Sequence, residues 1–87
     1  MAYSVEFTVQ AAEDLSRLDK PVAQQIAHRI DRLSQEIETI IPIPLKGQFK
    51  GKYKLRIGDW RVIYSLDHPA QLITIYAVRH RREVYKI

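Results

Sequence analysis

The chain has 87 residues, 46% of them hydrophobic, with no cysteine and a formal net charge of +4. That length holds one small domain, residues 1–87, with a single two-layer core, and the lack of thiols excludes disulfide scaffolds, Cys-based metal sites and thiol nucleophiles. No run approaches the ~20 apolar residues of a membrane span, and Met1–Glu6 has no basic leader pattern, so no membrane partner and a reducing cytoplasm are expected.

The first strand is predicted at Tyr3–Phe7, with Tyr3, Val5 and Phe7 on one face and Ser4 and Glu6 on the other. Thr8 is placed to cap a short helix over residues 9–18, where Ala11, Leu15 and Leu18 recur at helical spacing. Asp19-Lys20-Pro21 restarts the chain, with Asp19 as N-cap and Pro21 in the first turn. Val22, Ile26, Ile30, Leu33 and Ile37 then form one apolar stripe, widened by Ala23 and Ala27. Such a helix lies on a sheet. Ile41-Pro42-Ile43-Pro44 ends it, because the residue before a proline avoids the α region. Residues 45–51 read as a loop.

The stretch Lys52–Tyr64 reads as a β-hairpin around Gly58-Asp59, a type II′ dipeptide with Gly at the first central position. A two-residue loop pairs Ile57 with Trp60, Arg56 with Arg61, Leu55 with Val62, Lys54 with Ile63 and Tyr53 with Tyr64. Side chains alternate between faces. Tyr53, Leu55, Ile57, Trp60, Val62 and Tyr64 therefore face the core, and Lys52, Lys54, Arg56 and Arg61 face away. Like charges opposite one another destabilise a strand pair, so this row suits either a polyanion or, as ordinary solvated charge, the guarding of a sheet against edge pairing. After a turn at 67–71, residues 72–78 form a nearly continuous apolar strand, as in a centrally placed strand. The tail is Arg79-His80-Arg81-Arg82-Glu83-Val84-Tyr85-Lys86-Ile87.

The predicted fold is α+β with the order β-α-α-β-β-β: two N-terminal helices on one face of a small, mainly antiparallel twisted sheet. Pairing of the last two strands brings Arg79 and Arg81 beside Arg61. Charge follows the same division. Residues 1–45 carry four basic and seven acidic side chains, whereas residues 46–87 carry ten basic and three acidic. That asymmetry points to a nucleic acid or an acidic protein as partner.

The string Lys52-x-Lys54-Leu55-Arg56-x-Gly58-Asp59-Trp60-Arg61-Val62-Ile63-Tyr64, followed by Val78-x-His80-Arg81-Arg82-Glu83-Val84-Tyr85, resembles the RelE branch of the RelE/ParE toxin superfamily. The resemblance covers nearly the whole chain, including Leu45-x-Gly47, and implies a RelE-like, microbial-RNase-like fold. It implies a type II toxin that cuts mRNA in the ribosomal A site. A cognate antitoxin would neutralise it, and operator DNA would be bound only through the antitoxin complex. The positions matching the family's catalytic residues are Lys52, Lys54, Arg61, Arg81 and Tyr85. Arg56, Arg79, Arg82 and Lys50 are auxiliary cations for RNA phosphates, and no cofactor or metal is expected. Only two residues follow Tyr85, so the short C-terminal helix of some relatives is not expected here.

The chemistry these residues support is RNA cleavage by its own 2′-OH. It needs a base, stabilisation of the extra phosphorane charge, and a proton or positive charge at the leaving oxygen. Lys52 and Lys54 lie one strand repeat apart, roughly 7 Å. At an effective dielectric of roughly 20 their ammonium groups repel by about 2 kcal/mol, which favours the neutral amine of one as a base. Arg61 is expected on the scissile phosphate, Arg81 at the leaving oxygen, and Tyr85 stacking on a base or polarising the 2′-OH. Two other readings use the same fold: a ParE-like inhibitor of DNA gyrase, and a non-catalytic antitoxin-binding corepressor.

Overall fold

The computed structural model describes residues 2–84, with side chains described for residues 2–82. The elements are β1 (Ser4–Phe7), α1 (Val9–Ser16), α2 (Lys20–Glu36), β2 (Ile43–Pro44), β3 (Tyr53–Ile57), β4 (Trp60–Asp67), β5 (Leu72–His80) and α3 (Arg81–Val84), with one 3₁₀ turn at Gly47–Phe49. The five strands form one sheet in the order β1-β5-β4-β3-β2. β1 runs parallel to β5, from Ser4 opposite Leu72 to Phe7 opposite Ile75. The other pairings are antiparallel. This is the expected α+β layering.

Thr8 caps α1 as its sequence position predicts: its hydroxyl accepts from the Ala11 amide at 3.1 Å. Asp19 holds the N-cap position of α2 with Pro21 in the first turn, but its side chain makes no capping bond. The apolar stripe of α2 delivers Ile26, Ile30, Leu33 and Ile37 to the core, where they join Ala11 of α1 and Ile57, Val62, Tyr64, Ile73, Ile75 and Val78 of the sheet. Full burial of each such aliphatic side chain stabilises the fold by roughly 1.5–3 kcal/mol. The exposed face of α2 is tied by Arg32–Glu36 at 3.5 Å and Gln35–Asp31 at 2.9 Å.

Four details depart from expectation. Ile43 and Pro44 add a short edge strand paired with Lys54 and Tyr53. Proline is tolerated on a sheet edge. Phe7 is 45% exposed instead of core-facing, because the chain leaves the sheet there for α1. β5 extends to His80 instead of stopping at Val78. Finally, the stretch read as a tail opens with a helical turn over Arg81–Val84, while the positions from Tyr85 onward lie outside the described residues. The turn starts where the Arg81 amide donates to the Asp59 carbonyl at 2.7 Å, a long-range bond that no local pattern announces.

Candidate functional site

The β3–β4 hairpin has the predicted register throughout, from Ile57 opposite Trp60 to Tyr53 opposite Tyr64. Gly58 has φ +59° and Asp59 a negative φ, as a II′ turn requires. Arg56 therefore faces Arg61, and on the other side of β4 Arg61 faces Arg79. Three arginines from three strands form one cross-strand row. The next row holds Lys54, Ile63 and Ala77. Lys52 comes one strand repeat further, with its ammonium 4.7 Å from the Tyr76 ring centroid. Lys50 is exposed in the loop before β3. Arg81 sits at the opposite end of the hairpin, paired with Asp59 at 3.8 Å, and Arg82 beside it is exposed.

The arginines of the row differ sharply in environment. Arg56 is exposed. Arg61 is only 4% exposed. Its Nη1 donates to the carbonyls of Gly58 at 3.1 Å and Trp60 at 3.0 Å. It braces the hairpin turn from beneath, instead of lying on the surface as the alternation pattern implied. Arg79 ion-pairs through Nε with Asp14 of α1 at 3.6 Å. Asp14 is buried. It accepts from the Val78 amide at 3.0 Å and from Gln10 at 2.8 Å. β1 pairs with β5 only as far as Ile75, so Asp14 supplies the acceptor that a longer β1 would have given.

Residues expected away from the site are away from it. Tyr64 is 1% exposed in the core, and Trp60 packs against the core with its ring edge-on to His80, centroids 5.2 Å apart. His80 accepts the Arg82 amide on Nδ1 at 3.3 Å. Burial, with the Tyr53 phenol adding to it, pushes the Tyr64 hydroxyl up to about 12. Among the described residues no group of His, Asp and Glu side chains is arranged to hold a metal. Tyr85 lies outside the described residues. The sequence reading missed Tyr76 and Asp14. Tyr76 was hidden in an apolar run and Asp14 in a helix, and only the folded chain brings either to the cations.

Residues 5–85 match the family model described as ParE toxin of the type II toxin–antitoxin system parDE. The chain belongs to this toxin family. Within the RelE/ParE superfamily it falls on the RelE branch. It is 30% identical over 87 residues to Toxin RelG of Mycobacterium tuberculosis, covering 99% of each chain. Its fold superposes on a chain of the toxin–antitoxin complex RelBE2 from Mycobacterium tuberculosis with a TM-score of 0.83, 28% identity and 93% coverage of each chain. A chain of the archaeal RelE–RelB complex from Pyrococcus horikoshii superposes with a TM-score of 0.73 at 28% identity, covering 93% of this chain and 97% of that one. Among the described residues, no helix of the toxin is long and apolar enough to cross a membrane.

Proposed function

We propose that this toxin is a ribosome-dependent endoribonuclease that cleaves mRNA in the A site and thereby inhibits translation in the cytoplasm. The observation that carries the reading is the convergence of Lys52, Lys54, Arg56 and Arg79 on one sheet face, with Arg61 buried beneath it and Arg81 at its end. Such a row is electrostatically unfavourable in the free protein and becomes favourable against a phosphate backbone.

In this reading the 2′-OH loses its proton to one lysine of the Lys52/Lys54 pair, the other stabilising charge as an ammonium, and attacks the adjacent phosphorus. Arg56 contacts the phosphate directly, and Arg61 adds positive charge from below the surface while keeping the turn in shape. Arg81 exchanges Asp59 for the leaving 5′-oxygen, stabilising its charge or relaying a proton. Arg79, Arg82 and Lys50 bind flanking phosphates, and Tyr85 is the candidate for stacking or 2′-OH polarisation. No histidine base is assigned, so the chemistry depends on substrate alignment, which an mRNA held in a ribosome provides. The partner is a cognate antitoxin. Relatives are solved in complexes with RelB, and an acidic segment that folds on binding would cover the cationic face. Operator DNA would be reached through that complex.

Primer extension on mRNA programmed into ribosomes tests the reading, with wild-type protein, Arg81→Ala and a lane without ribosomes. The expected result is A-site cleavage that needs both ribosomes and Arg81. A folded wild-type protein that leaves the mRNA intact overturns it. The match to a ParE family model favours gyrase inhibition as the second reading, which a DNA supercoiling assay would then decide.

A further inference from the structure

β5 contains one residue more than β4 between two matched positions: Val62 faces Val78, but Tyr64 faces Ile75. Tyr76 and Ala77 thus stand together against Ile63, and the ladder shifts there. A bulge of this kind re-aims side chains. It puts Ile75 and Val78, three positions apart, in the same core. It also brings Tyr76 out on the opposite face, under Lys52 at 4.7 Å. The bulged backbone is clamped from a separate element. Thr8 donates through its hydroxyl to the Tyr76 carbonyl at 3.1 Å and through its amide to the Ile75 carbonyl at 3.0 Å. The Tyr76 side chain is half-buried, as is Lys52.

We propose that Tyr76 is a positioning residue of the cleavage site, whose ring holds the Lys52 ammonium in place over the cationic sheet face beside Lys54. The proposal rests on the nuclease reading above. A ring face attracts an ammonium group and not a neutral amine, so Lys52 is the charged member of the pair and the base role falls to Lys54. A lysine side chain is otherwise a flexible stem with many rotamers. Fixing it before substrate arrives keeps the charge where it must act and avoids reorganisation during the reaction. The ring acts through Lys52, so the π face is required and the phenolic hydroxyl is not.

The test compares Tyr76→Phe, which keeps the ring, with Tyr76→Leu, which removes it, in the full chain and in a Lys52→Ala background. The first readout is the NMR shift of the Lys52 ε-methylene protons in free protein. The ring current moves them in wild type and Tyr76→Phe, and the displacement disappears in Tyr76→Leu. The second is single-turnover mRNA cleavage on programmed ribosomes. Tyr76→Phe is expected within twofold of wild type. Tyr76→Leu is expected to lose about tenfold in rate, ~1.4 kcal/mol, with half-saturation little changed. In the Lys52→Ala background Tyr76→Leu is expected to have no further effect, an outcome that mere loss of stability would not give. Equal rates for Tyr76→Leu and wild type overturn the proposal, as does a Tyr76→Phe loss as deep as that of Tyr76→Leu, or full additivity with Lys52→Ala. A wild-type protein that does not cleave at all overturns the nuclease reading and the positioning role with it. The NMR shift then still records whether the ring contact exists.

Discussion

Arg61 shows how a strand position and a side-chain environment can part. Its register is what alternation dictates, opposite Arg56, yet the guanidinium is buried against the carbonyls of Gly58 and Trp60. Arg61→Ala is expected to lower stability by about 1–3 kcal/mol through loss of both hydrogen bonds and of the buried side chain's packing, read as a shift in the urea midpoint, whereas Arg56→Ala should leave the midpoint in place. Activity losses at the two positions therefore have different origins. Tyr64 gives a second residue-level prediction. Its hydroxyl ionises near 10 in an unfolded chain but is pushed up to about 12 in the fold. Between those values the unfolded state binds fewer protons, so this contribution is complete below pH 10 and is lost as pH rises through the window. Urea midpoints measured from pH 8 to 12 should fall less steeply for Tyr64→Phe than for wild type.

At the scale of elements, the hairpin was legible because a turn dipeptide and a period-two pattern fix register together. The bulge in β5 was not. An apolar run carries no alternation to reveal where the phase slips, and the slip is imposed by β4 on one side and Thr8 on the other. Thr8 joins two tasks, capping α1 and clamping the bulge. Thr8→Val is expected to cost about 1–3 kcal/mol by chemical denaturation and to weaken the Lys52 ring-current shift. Thr8→Ser, which keeps the hydroxyl, should largely preserve both.

For the whole molecule, the acidic and basic halves of the chain fold largely onto different layers, although β1 and β2 of the first half join the sheet. Much of the first half forms α1 and α2, and the second supplies the cation-bearing strands. Binding to a non-cleavable single-stranded RNA should therefore weaken steeply with salt. Each phosphate contact adds about 0.7 to the slope of log affinity against log salt, and filter binding should show that slope reduced by roughly that amount in Arg56→Ala. A slope near zero in wild type would argue against phosphate capture by this face.

The sequence by itself determined the helix stripe, the hairpin register, the layering and the identity of the cationic residues. All of these follow from periodicity, turn chemistry and motif spacing that act over a few residues. Only the tertiary structure decided which cations are held by other groups. The burial of Arg61, the pairing of Arg79 with an aspartate 65 positions earlier and the placing of Tyr76 beneath Lys52 each depend on contacts between distant segments. Desolvation and partner geometry, unlike strand parity, are properties of the packed molecule.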